Sequence, residues 1–305
     1  MNARVLDGKA LAKRVRDNCK AEVQRLQALG VRPGLAVVLV GDDAPSRLYV
    51  SNKARACEEV GVHSQVINLP ASTSEIELLG QIRALNEDST VHGILVQLPL
   101  PKGLDVRKVL ETISHEKDVD GFHLYNVGAL AVGSSVFPPC TPYGVQLLLE
   151  SEGIDVSGKN VVVVGASNIV GKPMALMLMQ KDATVSVCHA KTRDLAQFTI
   201  LADVLIVAAG RPNLITAPMV KTGAVVIDVG INRLADGKIT GDVAFDEVKE
   251  KVSFITPVPG GVGPMTVTML MVNTLRSAQI VASKKGLMER PDLQSLSWDP
   301  LVVER

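Results

Sequence analysis

The chain has 305 residues, of which 47% are hydrophobic and 21% charged, with 25 glycines and 16 prolines. This length predicts about two domains, and the composition is typical of a globular protein rather than a disordered or fibrous one. Basic and acidic side chains number 32 each. The chain therefore has no net charge to attract a polyanion, and we expect no nucleic-acid partner.

The apolar runs and the cysteines bear on location. The longest runs, such as residues 161–164 and 204–209, fall far short of the ~20 residues that cross a bilayer, so we expect no membrane partner. Residues 1–15 alternate basic and apolar side chains, without the features of a signal or transit peptide. The four cysteines are far apart and form no C-x-x-C pair, which favours buried thiols and a cytoplasmic location. They are Cys19, Cys57, Cys140 and Cys188.

The first half of the chain alternates strand and helix patterns. Residues 34–41, GLAVVLVG, are typical of a strand buried on both faces. We then predict a helix at 46–60 ended by Gly61, a strand at 62–69, a helix at 75–85 and a strand at 91–98. Ser72 and Glu75 resemble a capping box before the second helix. This alternation predicts an α/β domain with a mostly parallel sheet.

The second half repeats the alternation after a segment rich in Gly, Pro and Asp at residues 115–142, where we place the change of domain. A helix at 142–150 links the halves. Strands at 161–164, 184–188, 204–207 and 224–229, with helices at 170–180 and 194–201, predict a Rossmann-like doubly wound sheet. We expect domains at 1–140, completed by a helix at about 265–283, and at 141–264, and we assign no role to the tail at 284–305.

A glycine-rich turn follows the strand at 161–164. Residues 165–171 read GASNIVG and lead into a helix, a context in which backbone amides can bind a pyrophosphate. Ser167 stands where the usual fingerprint has its second glycine, and the last glycine comes one residue late. A dinucleotide site is favoured, with a ligand-free turn as the alternative.

A basic segment, CHAKTR at residues 188–193, ends the next strand. An NAD enzyme places an acidic residue there to bind the ribose hydroxyls. His189, Lys191 and Arg193 would instead neutralise a ribose phosphate, so the segment favours NADP over NAD. An ordinary basic loop is the alternative.

One helix face in the first half combines an aromatic ring with an amine. Ser46, Tyr49 and Lys53 are spaced i, i+3, i+7 and share that face, which can stack a flat substrate and deliver a proton to it. The alternative is a solvated lysine. Gln97 ends the third strand, where open α/β sheets bind ligands, and Asp120 follows as a carboxylate able to accept from a heterocycle.

Two further patterns are interpreted as structural or absent. Asp118 is better explained as a residue that stabilises its own turn. The five histidines form no i, i+4 pair and have no carboxylate at metal-ligand spacing, so we predict no metal.

Several strings, taken in order, resemble one family. They are GDD at 41–43 with the helix face above, GILVQLPLP at 93–101, KDVDG at 117–121, PCTP at 139–142, GDV at 241–243 and TPVPGGVGPMT at 256–266. From about residue 5 to residue 282 the chain resembles the bifunctional methylenetetrahydrofolate dehydrogenase/methenyltetrahydrofolate cyclohydrolases.

The resemblance implies a two-domain homodimer that uses NADP and binds a tetrahydrofolate derivative in a cleft between its domains. It implies oxidation of 5,10-methylenetetrahydrofolate to the methenyl form and hydrolysis of that form to 10-formyltetrahydrofolate. Lys53 would assist proton movement in the hydrolysis, and Gln97 would hydrogen-bond Lys53. Tyr49 would stack on the folate, and Asp120 would hold the pterin edge.

The remaining site residues also follow from the resemblance. The folate pocket would be completed by Ser46, Val96, Leu98, Pro259, Gly260 and Gly261. Gly165, Ser167, Ile169 and Gly171 would match the phosphate turn, which also contains Ala166, with Thr141, Ile231 and Thr266 near the dinucleotide; His189, Lys191 and Arg193 are placed near the ribose phosphate by their charge, as argued above.

Two positions depart from the family pattern. Ala166 stands where many members carry Arg, and Ala190 stands where some carry Ser, and we expect Lys191 and Arg193 to take over the ribose phosphate. Two other functions remain as alternatives at this point: an NADP-dependent small hydroxy-acid dehydrogenase of the shikimate type, and a non-catalytic dinucleotide-sensing module.

Overall fold

The computed structural model describes residues 3–289, which divide into two compact units. The three-stranded unit, named for its sheet, contains residues 13–140 and 267–289. The six-stranded unit contains residues 3–12 and 141–266. No helix between residues 3 and 289 combines the length and apolar character needed to cross a bilayer.

The helices and strands are numbered in chain order. Up to residue 151 they are β1 (Arg4–Val5), α1 (Gly8–Ala28), β2 (Gly34–Val40), α2 (Ala44–Val60), β3 (His63–Leu69), α3 (Glu75–Glu87), β4 (Gly93–Val96), α4 (Val106–Thr112), α5 (Leu124–Ala131) and α6 (Cys140–Ser151). They are followed by β5 (Asn160–Val164), α7 (Gly171–Met179), β6 (Thr184–Cys188), α8 (Leu195–Thr199), β7 (Val204–Val207), β8 (Val225–Asp228), β9 (Asn232–Arg233), β10 (Ile239–Thr240), α9 (Phe245–Val248), β11 (Phe254–Ile255) and α10 (Val262–Lys284).

The three-stranded sheet has the order β3-β2-β4, and both pairings are parallel. Every residue of β2 is buried, as expected for a β-branched strand covered on both faces. The chain passes from β2 to β3 on one side and later returns to the other side of β2 as β4. The carboxyl ends of β2 and β4 therefore border the crevice in which open α/β sheets bind ligands.

Local signals fix the helices of this unit. The side chain of Asp43 accepts a hydrogen bond from the Ser46 N–H at the start of α2, and Gly61 ends that helix with φ 85°. The capping box of α3 is formed by Ser74 and Glu77, so the predicted pairing of Ser72 with Glu75 is wrong. Because α3 begins at Glu75, only Ser74 is placed to accept from its first turn.

The six-stranded sheet has the order β1-β11-β8-β7-β5-β6, with all of its pairings parallel. The strand β5 lies between β6 and β7, so the strand order reverses at β5. The carboxyl ends of β5 and β7 therefore form a topological switch point, where open α/β sheets bind ligands. The predicted α/β architecture with a mostly parallel sheet is confirmed. The core on one face of this sheet contains Val162, Val164, Leu205, Val207, Val226, Ile215 and Ile255.

The chain termini differ from the sequence-based division. Residues 3–12 belong to the six-stranded unit rather than to the first domain, because β1 pairs with β11 through Arg4 opposite Phe254 and Val5 opposite Ile255. The helices α1, α4 and α5 were not predicted from the sequence. In the predicted tail at 284–305, α10 ends at Lys284, and residues 290–305 lie outside the described residues.

Candidate active site

The helix α2 presents its N-terminal half at the carboxyl end of the three-stranded sheet. Ser46 is buried, and both its N–H and its hydroxyl donate to Asp43 Oδ2, at 2.9 and 2.6 Å. These bonds, the hydroxyl bond above all, lower the pKa of Asp43. Tyr49 is 39% exposed, and Lys53, one turn further along, is half-buried. The face thus offers an open aromatic ring and a sheltered amine.

The Lys53 amine is held by the strand β4. Lys53 Nζ donates to Gln97 Oε1 at 2.9 Å. Gln97 is the residue after β4, and its own amide nitrogen Nε2 donates to the Leu98 carbonyl at 2.7 Å. This second bond fixes the orientation of the amide, so that its oxygen faces Lys53. Val96 is buried under this corner and Leu98 is half-buried.

Asp120 follows a loop that is tied to β4. Residue 118 bridges Ile94, and the Asp118 carboxylate accepts from the His123 N–H at 2.7 Å and from Asn126 Nδ2 at 2.9 Å. Asp118 therefore organises its own turn. Burial raises the pKa of Asp120, and the nearby Lys53 ammonium opposes that rise. Lys53, Gln97 and Asp120 are thus brought together within one unit.

Two buried residues that sequence reasoning did not assign to the site hold the Asp120 loop. Asn273 Nδ2, from α10, donates to the Val119 carbonyl at 2.8 Å and to the Pro138 carbonyl at 3.0 Å. The Cys140 thiol donates to Val119 O at 3.4 Å and hydrogen-bonds the Asp120 side chain. Burial, with Asp120 adding to it, raises the pKa of Cys140 well above its ordinary value. Only the PCTP string pointed to this contact.

The glycine turn of the six-stranded unit lies at the carboxyl end of β5. Gly165 has φ 124°, and a Cβ there would stand 2.2 Å from the Ala208 carbonyl oxygen at the end of β7. A Cβ on Gly171 would stand 1.9 Å from the Gly165 carbonyl oxygen. The backbone is therefore packed so closely that only glycine fits at both positions. A tight glycine turn that leads into a helix N-terminus is the arrangement that binds a pyrophosphate in dinucleotide-binding folds.

Ser167 occupies the second fingerprint position and orders the turn that precedes α7, whose N-cap residue is Val170. Its Oγ accepts from the Val170 N–H at 3.1 Å and from the Gly171 N–H at 3.4 Å. The hydroxyl thereby stabilises the turn by accepting from two of its backbone N–H groups. Ala166 is half-buried, and Ile169 is 40% exposed at the mouth of the turn.

The basic segment after β6 is a hydrogen-bonded turn. His189 N–H donates to Thr192 Oγ1 at 2.9 Å, and Lys191 N–H donates to His189 Nδ1 at 3.1 Å. His189, Lys191 and Arg193 are all exposed, and within residues 3–289 no carboxylate pairs with Lys191 or Arg193. Two cationic side chains are therefore available to an anionic ligand at the end of β6.

The other predicted cofactor residues lie at the ends of helices and strands of the same unit. The Thr141 and Thr266 hydroxyls are 3.0 Å apart. Ile231, after β8, is 48% exposed. The predicted folate residues Pro259, Gly260 and Gly261 also belong to the six-stranded unit, where the Gly260 carbonyl accepts from the Lys9 N–H at 3.1 Å.

Two buried carboxylates beyond the predicted set organise the loops after β7 and β8. Asp228 accepts from the N–H groups of Gly230, Asp242 and Val243 at 2.9 to 3.0 Å. Burial raises its pKa to about 6, and these bonds oppose the rise. Asp242 is fully buried and accepts four hydrogen bonds. The GDV string at 241–243 was a signal of this pair, but spacing alone assigned it no partner.

Fold and side chains together define a class: an α/β protein with a Rossmann-type dinucleotide unit and a second α/β unit carrying a tyrosine, a lysine and a half-buried carboxyl. Among residues 3–289, no three His, Cys, Asp or Glu side chains are grouped to hold a metal ion. In the three-stranded and the six-stranded unit alike, the carboxyl ends of the parallel strands form the edge at which such sheets bind ligands.

Comparison with known proteins identifies the family. Residues 6–120 match the catalytic domain of tetrahydrofolate dehydrogenase/cyclohydrolase, and residues 139–282 match its NAD(P)-binding domain. The chain belongs to the tetrahydrofolate dehydrogenase/cyclohydrolase family and is an enzyme of that type. The resemblance drawn from the motifs is confirmed, and the two alternative functions are not supported.

Three relatives illustrate the similarity. The bifunctional protein FolD of Nitrosospira multiformis is 59% identical over 92% of this chain and 97% of its own. The crystal structure of the Campylobacter jejuni bifunctional FolD is similar at 55% identity and TM-score 0.90, covering 90% of this chain and 98% of that one. The Trypanosoma brucei FolD, a complex with NADP and an inhibitor, is 38% identical with TM-score 0.90, covering 92% and 99%.

Proposed function

We propose that this chain oxidises 5,10-methylenetetrahydrofolate to 5,10-methenyltetrahydrofolate with NADP, and hydrolyses the product to 10-formyltetrahydrofolate. The observation that carries the proposal is the Lys53 amine held 2.9 Å from Gln97 Oε1. Asp120 lies near enough for the Lys53 charge to lower the pKa of its carboxyl. An amine, an oriented amide and a carboxyl at one strand end are suited to moving protons on a nitrogen heterocycle.

Lys53 is proposed to manage the proton in the hydrolysis. Water adds to the methenyl carbon and must lose a proton as the carbon–oxygen bond forms. One carbon–nitrogen bond then breaks, and the released nitrogen takes up a proton. The Lys53 amine, fixed by Gln97, can serve as the relay for both transfers. The net reaction releases one proton, because the substrate cation becomes a neutral formamide.

The oxidation depends on orientation. Bound NADP supplies the hydride acceptor. Loss of hydride leaves a positive charge shared by two nitrogens of the folate, so that step needs no acid, and positioning contributes most. We propose that Tyr49 stacks on the folate and that Asp120 accepts from the pterin edge. Val96 and Leu98 line the pocket, and Ser46 supports it through its bonds to Asp43.

The cofactor site is proposed at the carboxyl ends of β5 and β6. Gly165 and Gly171 allow the tight turn, because any Cβ there would collide with the backbone, and α7 directs its first N–H groups toward that turn, where they can bind phosphates. Lys191 and Arg193 are exposed cations suited to the ribose phosphate. The proposal extends to Ala166, Ser167, Ile169, His189, Thr141, Thr266 and Ile231 as neighbours of the dinucleotide, and to Pro259, Gly260 and Gly261 as folate contacts.

Ultraviolet absorbance of methenyltetrahydrofolate tests the function directly. With methylenetetrahydrofolate and NADP, the absorbance should rise and then fall. With methenyltetrahydrofolate alone, it should fall faster than in a buffer blank. Absence of both changes with folded protein would overturn the proposal.

We propose in addition a homodimer located in the cytoplasm. Within the described residues β3 has one open edge, and Val66 on that strand is 36% exposed, which suits pairing with a second copy. The four cysteines are free and buried, as is usual in a reducing compartment. Light scattering that gives the mass of a single chain would contradict the dimer.

A further inference from the structure

Asp242 lies under two loops of the six-stranded unit and makes no predicted contact with a ligand. Its side chain is fully buried. Oδ2 accepts from the Ala209 N–H at 2.7 Å and from the Gly210 N–H at 2.8 Å. Oδ1 accepts from the Arg211 N–H at 2.9 Å and from Asn232 Nδ2 at 2.7 Å. Three successive backbone amides and one side-chain amide thus converge on one carboxylate.

The two loops joined in this way follow β7 and β8. Residues 209–211 begin where β7 ends, and Ala208, just before them, places its carbonyl against Gly165 of the phosphate turn. Asn232 is the neighbour of Ile231, which is 48% exposed after β8. The loop after β7, which contacts the glycine turn, and the loop after β8 are therefore held by the same buried carboxylate.

Asp242 is closely packed against the backbone and against a second carboxylate, Asp228. Its N–H donates to Asp228 Oδ1 at 3.0 Å. A Cβ on Gly230 would stand 2.3 Å from Asp242 Cγ, and a Cβ on Gly241 would stand 1.8 Å from Asp228 Oδ2. Backbone is packed directly against both carboxylates, so neither the carboxylate nor the loops can shift without losing hydrogen bonds.

We infer that Asp242 is a positioning residue for NADP binding, acting through residues 208–211 and 231–232 and not by contact with the cofactor. The inference rests on the cofactor site proposed above. A carboxamide at position 242 has one acceptor oxygen and would turn its NH₂ group toward backbone N–H donors. At least one loop would then lose its anchor while the volume of the side chain is kept.

The test compares Asp242→Asn with Asn232→Ala, which removes a single donor, and with Asp236→Asn, an exposed aspartate of the β9–β10 turn, as matched control. Dehydrogenase kinetics are measured against NADP, and NADP binding is measured by calorimetry. The cyclohydrolase rate is measured without NADP, which reports whether the three-stranded unit is folded and active.

For Asp242→Asn we expect KM and Kd for NADP to rise by about tenfold or more, with kcat at saturating NADP and the cyclohydrolase rate within about twofold of wild type. Asn232→Ala should give a smaller rise in the same direction, and Asp236→Asn none. A general loss of structure would instead lower kcat and the cyclohydrolase rate together.

Unchanged NADP affinity in Asp242→Asn, or loss of both activities in Asn232→Ala as well as in Asp242→Asn, would overturn the inference. Gly165→Ala in the same titration tests the cofactor site separately. If Gly165→Ala binds NADP normally while Asp242→Asn does not, the proposed phosphate position is wrong and the role of Asp242 stands.

Discussion

Lys53 Nζ and Gln97 Oε1 are 2.9 Å apart and join the helix after β2 to the end of β4. The two residues are 44 positions apart in the chain and meet only because β2 and β4 are neighbours in the sheet. The hydrogen bond fixes the direction of the amine at the ligand crevice.

Replacement of Lys53 should separate the two activities. We expect Lys53→Met to abolish the cyclohydrolase reaction, because the methionine side chain cannot carry a proton, while part of the dehydrogenase rate remains. Lys13→Met, an exposed position on α1, is the control. Both rates follow from methenyltetrahydrofolate absorbance. Wild-type rates for both reactions in Lys53→Met would contradict the proposed role of Lys53.

The basic turn after β6 should determine cofactor choice. The double substitution Lys191→Ala and Arg193→Ala should lower kcat/KM for NADP by about tenfold or more, since charged hydrogen bonds to a phosphate are lost, with kcat/KM for NAD nearly unchanged. Lys238→Ala, at an exposed lysine of the β9–β10 turn, serves as the control. A wild-type preference for NAD, or an equal loss with both cofactors, would refute this assignment.

Replacement of Asn273 should lower the stability of the protein and also displace Asp120. Asn273→Ala removes both donors from the Val119 and Pro138 carbonyls, and we expect the free energy of unfolding to fall by about 1–3 kcal/mol. KM for the folate should also rise. Urea denaturation and steady-state kinetics measure the two effects, with the exposed Gln24→Ala as the control. Unaltered stability together with unaltered KM would show that the Asn273 hydrogen bonds do not position Asp120 for folate binding.

His92 should make the acid side of the stability profile steep. It is buried, and its Nδ1 accepts from the Gly34 N–H at 3.1 Å. Burial lowers its pKa from 6.5 to about 4, and the Lys117 charge adds to that effect. Between pH 6.5 and 4 the unfolded chain therefore binds more protons than the folded one, so the contribution of His92 is complete above pH 6.5 and is lost as the pH falls toward 4.

The variant His92→Asn keeps an acceptor for the Gly34 N–H and cannot titrate. The free energy of unfolding should then lose up to roughly 3 kcal/mol of its pH dependence between pH 6.5 and 4. Urea denaturation across that range measures it, with the exposed His63→Asn as reference. An acid limb as steep in His92→Asn as in His63→Asn would assign the loss of stability to other groups.

Much of the fold could be predicted from the sequence because its signals are local. The β2 run GLAVVLV, the glycines at 61 and 165 and the β5–β8 alternation mark elements by composition and turn chemistry. The helix α1 was missed although Leu11, Val15, Cys19, Val23 and Leu26, all buried, recur at helical spacing. The basic residues between them give this segment an alternation of charged and apolar side chains that obscures the helical spacing.

The site was predictable where its residues share an element and not where they meet through the fold. Spacing alone places Ser46, Tyr49 and Lys53 on one helix face. Nothing local links Asn273 to Val119 across 154 positions, or Asp242 to Ala209 across 33. The motif strings marked some of these positions, but only the tertiary structure supplies their partners.

The pairing of β1 with β11 orders events during synthesis on the ribosome. Arg4 and Val5 acquire their strand partners Phe254 and Ile255 only after the chain has been extended by a further 250 residues, the separation of each pair. Until then the six-stranded sheet has an unfilled edge, and long-range pairing of this kind slows folding and exposes the nascent chain to aggregation. A substitution or deletion at residues 4–5 would thus affect the last strand added to the six-stranded unit.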